Sequence, residues 1–99
     1  MQLKHQLSLE AENDAFESYS WYESNKVGLG EKFLESLDLA LNAISSSPFA
    51  YKVFFKKKVR AYHLTDFPFT VLYLVESNEI KVIAIFHTSR NPRQWKKRV

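Results

Sequence analysis

Ninety-nine residues, 45% hydrophobic and 15% aromatic, make one domain with one modest core; the chain is too short for two cores and too apolar for a disordered one. The absence of cysteine excludes disulfides, thiolate nucleophiles and cysteine-based metal sites, and agrees with a reducing cytosol. The net charge of +3 conceals a division at Ala50: residues 1–50 carry three lysines against eight acids, a balance of −5, while residues 51–99 carry eleven bases against three acids, a balance of +8.

A positive field confined to one part of a small protein selects polyanions or acidic protein segments. Met1 to His5 leads into charged sequence, and no apolar run approaches the roughly 20 residues of a membrane span. A cytoplasmic protein is therefore expected, with neither secretion nor membrane insertion.

In chain order, Leu3 to Leu7 alternates loosely and reads as a short first strand. Ser8 is a candidate N-cap, and Glu10, Glu12 and Asp14 suit the positive end of a helix dipole. Ala11, Ala15, Tyr19 and Tyr22 then recur at helical spacing to about Lys26, where Val27-Gly28-Leu29-Gly30 breaks the pattern. A second helix is expected from about Glu31 to Ser45, with Phe33, Leu37, Ala40, Leu41 and Ile44 on one face and Pro48 beyond its end. Two amphipathic helices joined by so short a turn make an antiparallel hairpin.

The period changes in the second half. Val59–Leu64, Phe67–Val75 and Glu79–His87 are rich in β-branched and aromatic residues and are separated by Thr65-Asp66 and Ser77-Asn78, which predicts an antiparallel meander. With two-residue turns at both places, one face carries Arg60, Tyr62, Leu64, Phe69, Val71, Tyr73, Val82, Ala84 and Phe86. The other carries Ala61, His63, Pro68, Leu72, Leu74, Ile83, Ile85 and His87. The tail from Arg90 to Arg98 holds five bases, one tryptophan and no acid, and Pro92 suits the first position of a short helix. The predicted fold is thus α+β over residues 1–99 as a single domain: a short N-terminal strand, an α-helical hairpin packed on an antiparallel β-meander, and a short basic C-terminal tail.

Chemistry-bearing residues cluster in the basic half. In the tail, Arg90, Arg93, Lys96, Lys97 and Arg98 suit phosphates or carboxylates, and Trp95 either stacks on a nucleobase or anchors the tail to the core. Lys56, Lys57 and Lys58 form a second basic cluster before the central strand, read either as a binding patch or as a solvated loop. Arg60 has the planar fork to hold a phosphate or carboxylate bidentately; its structural alternative is an ion pair with an acid of the helix hairpin. His63 and His87 fall together on one face at one end of the sheet in this register, and His87 beside Arg90 is a candidate general acid or base. His5 lies on the far strand. Two histidines without a nearby carboxylate make no metal site. The chain has no glycine-rich phosphate loop, serine triad or paired carboxylates, which argues against nucleotide-driven and conventional hydrolytic enzymes and implies no cofactor.

The order Ala11, Trp21-Tyr22-Glu23, Gly28-Leu29-Gly30, Phe33, Leu37, Leu41, Ile44 and Pro48, then Val59-Arg60, Phe67-Pro68-Phe69, Val71 and Tyr73, and finally His87, Arg90, Pro92, Trp95 and Arg98 resembles the RelE/ParE superfamily, the toxins of bacterial type II toxin–antitoxin systems. The resemblance implies a growth-arresting protein neutralised by a cognate antitoxin that wraps an acidic segment over the basic sheet. Two targets follow from it. A RelE-like member cleaves messenger RNA in the ribosome; Arg60 would then match the phosphate-stabilising arginine and His87 the proton-transfer residue near the end of the last strand. A ParE-like member, of the plasmid-stabilisation branch, inhibits DNA gyrase without cutting RNA. Thr88 stands where the RelE-like branch has a tyrosine, and the ending Arg90-Asn91-Pro92-Arg93-Gln94-Trp95 looks more like the ParE branch. A member that binds nucleic acid without toxicity is the third alternative.

Overall fold

The computed structural model describes residues 2–89 and Arg98. Its elements are β1 (Lys4–Leu7), α1 (Leu9–Asn25), α2 (Leu29–Ser46), β2 (Val53–Phe55), β3 (Val59–His63), β4 (Phe69–Glu76) and β5 (Glu79–His87). The α+β architecture is the predicted one, with two additions. β1 runs parallel to β5, and β2 adds an outer strand, so one five-stranded sheet has the order β1-β5-β4-β3-β2. The predicted Pro92 helix start lies outside the described residues.

Each helix start has an identifiable cause. Ser8 caps α1: its Oγ accepts from the Ala11 N–H at 3.1 Å, while its own N–H donates to the Val82 carbonyl at 2.9 Å, so the last sheet bond of β1 leads directly into the helix. α2 begins two residues earlier than expected, at Leu29, because the cap is not local. The Glu23 carboxylate of α1 accepts from the Gly28 and Gly30 N–H groups at 3.0 Å each, which satisfies free donors of α2 and places negative charge at its N-terminus. Gly28 takes φ of +90°, a left-handed conformation that admits glycine without strain. Gly30 lies inside α2, where a Cβ would meet the Tyr19 carbonyl and ring at 2.8 Å, so it sets how closely the helices approach.

α2 supplies most of the helical share of the core through Phe33, Leu37, Ala40, Leu41 and Ile44. They pack on Phe69, Val71, Tyr73, Ile80, Val82 and Ile85 of the sheet and on Leu64, just past the end of β3. α1 contributes a single fully buried apolar residue, Ala11, with Ala15, Tyr19 and Tyr22 partly buried. The opposite sheet face holds Val59, Ala61, Leu72, Leu74, Ile83 and Ala84.

The register departs from expectation in two ways with opposite consequences. The β3–β4 connection is longer than two residues, so Arg60 pairs with Tyr73 and Tyr62 with Val71. That change moves partners by two and leaves every face as predicted. In β5, however, Tyr73 pairs with Val82 while Leu72 pairs with Ala84, so Ile83 is the extra residue of a β-bulge. An odd insertion inverts the faces beyond it. Ile85 and His87 therefore lie with Phe69 and Val71 on the helix side, and Ala84 and Phe86 on the other, which corrects the predicted assignment of all four. His63, on the face opposite His87, pairs with Thr70 through Nδ1 and Oγ1 at 2.7 Å, so the two histidines do not share a face.

Candidate functional site

Arg60 projects from β3 toward the segment that joins α2 to β2. Its Nη1 donates to the carbonyls of Tyr51 at 2.7 Å and Phe49 at 3.2 Å, and its guanidinium lies 5.3 Å from the centre of the Phe49 ring. No acid of the helix hairpin pairs with it among the described residues, which corrects the ion-pair alternative. Beside it, the Tyr73 hydroxyl donates to the Pro48 carbonyl at 2.7 Å, and burial pushes the Tyr73 pKa up to about 12. Arg60 and Tyr73 together fasten residues 48–51 to the sheet.

Lys56, Lys57 and Lys58 form the turn from β2 to β3. The Lys58 N–H donates to the Phe55 carbonyl at 3.2 Å, and Lys56 and Lys57 take φ of 51° and 62°. Two consecutive left-handed residues match the twist of a two-residue hairpin but favour Asn-Gly; a residue with a Cβ costs about 1 kcal/mol at each position. The lysines are exposed, as is Lys52, and Lys56 Nζ sits 5.3 Å from the centre of the Phe55 ring. The turn from β4 to β5 has the same geometry at Ser77 and Asn78, with φ of 52° and 61°.

His87 stands at the other end of the sheet. Its Nδ1 accepts from the Ser89 N–H at 3.1 Å and contacts Ser89 Oγ at 2.7 Å, which puts the proton of the neutral ring on Nε2. Its ring meets Phe69 edge-on at 5.2 Å. Together with Glu17, Ser18, Trp21, Tyr22, Phe69 and Ser89 it lines a groove of about 550 Å³ between α1 and the sheet. Glu17 and Trp21, and likewise Ser18 and Tyr22, are four residues apart and so share one side of α1. None of these four helix residues is among the candidate site residues of the sequence. The available signal was Trp21 itself, a large aromatic outside the Ala11–Ala15–Tyr19–Tyr22 stripe.

Arg60 and His87 do not converge. His87 pairs with Phe69, four residues along β4 from the Arg60 partner Tyr73, and β3 and β5 lie on opposite sides of β4. Strand spacings place their Cα atoms about 16 Å apart. The lysine turn is a residue further along, beyond Val59.

The described cations of the second half form no single platform. Lys81 pairs with Glu76 at 3.3 Å, Arg60 is held on carbonyls, and Arg98 is half-buried against α1. Arg98 grips Asp14 in a bidentate pair, Nη1 to Oδ2 at 2.6 Å and Nη2 to Oδ1 at 3.2 Å, and Nη1 also donates to the Ile83 carbonyl at 3.0 Å. The Ile85 N–H donates to the same Asp14 Oδ2 at 3.0 Å. These backbone groups lie on the edge of β5 beyond its last pairing with β1, Leu7 to Val82, so Asp14 and Arg98 complete that edge where no strand does. Hydrogen bonding to Asp14 raises the Arg98 pKa above its ordinary value, against the opposing effect of burial. Arg98 is therefore engaged internally, leaving Lys52, Lys56, Lys57 and Lys58 as the described cationic corner. Arg90, Arg93, Trp95, Lys96 and Lys97 lie outside the described residues.

His5, on β1, contacts Ser45 Oγ through Nδ1 at 3.1 Å. Among the described residues no group of three or more histidines and acids stands ready to hold a metal, and no helix is long and apolar enough to cross a membrane.

No curated protein sequence matches the chain. Among solved structures, a protein of the chromosomal ParDE toxin–antitoxin system from P. aeruginosa is similar in fold, with a TM-score of 0.72 at 18% identity, covering 89% of this chain and 98% of that one. The family model described as the ParE toxin of the type II toxin–antitoxin system parDE matches residues 6–92. That match runs from within β1 to beyond the end of β5, and the chain belongs to the ParE toxin family of type II toxin–antitoxin systems.

Proposed function

We propose that this toxin acts in the cytoplasm by binding and inhibiting DNA gyrase, without cutting RNA, and that a cognate antitoxin with an acidic segment neutralises it. The observation that carries the reading is the separation of Arg60 from His87. Ribose-assisted RNA cleavage needs one group to take the 2′-hydroxyl proton and another to stabilise charge at the same phosphate, within hydrogen-bond reach of both. Arg60 and His87 stand about 16 Å apart at their Cα atoms. The lone pair a general base needs is that of His87 Nδ1, which already accepts from Ser89. The Arg60 guanidinium already serves two carbonyls.

The lysine corner supports a binding role. Lys56, Lys57 and Lys58 stand exposed at the tip of a hairpin turn, with Lys52 exposed nearby, and so concentrate positive charge on one corner. Exposed Val53 and Phe54 beside the turn offer apolar contact next to the charge. An acidic antitoxin segment is complementary to the same corner.

The test is a supercoiling assay with purified gyrase, using the wild-type toxin and the double variant Arg60→Lys, His87→Gln. Both proteins inhibit supercoiling if the reading is right, and added antitoxin relieves the inhibition. Full gyrase activity at toxin excess, together with ribosome-dependent cleavage of messenger RNA that the double variant loses, would replace it with the ribonuclease reading.

A further inference from the structure

The groove beside His87 is walled by α1, a helix that carries acids and no base, and neither the gyrase reading nor an acidic antitoxin segment uses it. Its floor is aromatic: Phe69 is 5% exposed, and the Tyr22 ring lies 6.1 Å from it. One wall is Trp21, which is 61% exposed although its indole is held edge-on against Tyr22 at 5.1 Å and 81°. The carboxylate of Glu17, one turn before Trp21, stands at the rim, where the Asn13 amide donates to its Oε1 at 2.6 Å and orients it. No cation pairs with Glu17 among the described residues, whose ion pairs are Lys81–Glu76 and Arg98–Asp14.

Chemistry narrows the occupant. Glu10 and Glu12, the acids of the first turn of α1, add negative potential that repels phosphates and attracts cations, whereas Asp14 is paired with Arg98 and Glu23 caps α2. A metal ion is a poor match, because Glu17 is the single carboxylate in the lining and His87 Nδ1 is occupied by Ser89. A flat, weakly hydrated cation meets both features, stacking on an indole face while its fork reaches a carboxylate. A guanidinium has that shape, whereas a compact, strongly hydrated ammonium has not. We propose that this groove is a docking site for an arginine side chain of a protein partner, with Trp21 as the stacking surface and Glu17 as the counter-charge. The toxin then carries two recognition surfaces of opposite sign, the lysine turn at one end of the sheet and the Glu17–Trp21 groove at the other.

The site is tested on the full-length toxin by NMR titration, following the Trp21 indole N–H and the His87 ring. The probes are capped Gly-Gly-Arg-Gly-Gly and its lysine and citrulline counterparts, citrulline being the neutral shape-mimic of arginine. The arginine peptide is expected to give saturable shifts confined to the groove, with lysine about threefold and citrulline about tenfold weaker. Glu17→Gln and Trp21→Phe, both at exposed helix positions, are each expected to weaken arginine binding by about three- to tenfold while leaving the remaining spectrum in place. Absence of saturable shifts, equal binding of citrulline and arginine, or unchanged affinity in Glu17→Gln would overturn the assignment. So would tighter binding of guanosine monophosphate than of the arginine peptide, which would make the groove a nucleotide site.

Discussion

Replacing Asp14 with alanine removes the one group that serves both the exposed edge of β5 and Arg98. Four hydrogen bonds meet there: two from Arg98 to the carboxylate, one from Arg98 to the Ile83 carbonyl, and one from the Ile85 N–H to Asp14. The ion-pair side chains are 20% and 19% exposed, so solvent screens them only in part. Truncation leaves a guanidinium and a backbone N–H short of partners, and hydrogen bonds to charged groups contribute roughly 1.5–3 kcal/mol each, less what water recovers. A loss of about 2–4 kcal/mol is expected, equivalent to a fall in Tm of about 10–20 °C for a chain of this size. Urea unfolding followed by circular dichroism measures the loss. Amide exchange adds a local readout, since the Ile85 N–H should exchange faster while Val71 and Leu72 of β4 stay protected. Combining Asp14→Ala with Arg98→Ala completes a double-mutant cycle, in which a coupling above about 1 kcal/mol is expected. A destabilisation under about 0.5 kcal/mol with Ile85 exchange unchanged would refute the reasoning, because the edge would then be held by something other than this pair.

Lys56→Asn with Lys57→Gly converts the β2–β3 turn to the sequence its backbone favours, and should raise stability by about 1–2 kcal/mol while weakening gyrase inhibition. A gain in Tm with undiminished inhibition would show the lysines to be dispensable for recognition. The Tyr73 hydroxyl, raised to about 12 in the folded protein against an ordinary value of 10.0, gives a stability that is complete below pH 10 and declines as pH climbs toward 12. Its share of the decline approaches about 1.4 kcal/mol per pH unit, and Tyr73→Phe should flatten that limb of the urea midpoint against pH while costing about 1 kcal/mol at neutrality. An unchanged alkaline limb in the variant would assign the decline to other groups.

Local signals in the sequence identified much of the fold, and the failures were non-local. Ser8 as N-cap, the helical spacings and the Ser77-Asn78 turn are decided by neighbours a few residues away, and each stands as read. Simple alternation puts Ile85 and His87 on the wrong face because one extra residue at Ile83 inverts parity, and nothing in Ile80 to Phe86 marks it. β2 is three residues long and precedes three lysines, which carry none of the Asn-Gly chemistry that announces a hairpin. At the site, the excess of bases in the second half was readable by counting, but counting does not tell a free cation from a paired one. Arg98 meets an acid 84 positions away, and Arg60 meets carbonyls, which no charge count registers. The groove is not legible in the sequence for a related reason: Glu17 and Trp21 gain meaning only when Phe69 and His87 are folded against them.

The order of events after the toxin is induced in cells without its antitoxin tests the gyrase assignment most directly. DNA breaks and the DNA-damage response should come first, with protein synthesis continuing until they accumulate, and a gyrase subunit should co-purify with the toxin. Immediate arrest of translation, with intact chromosomes and normally supercoiled plasmid, would contradict it.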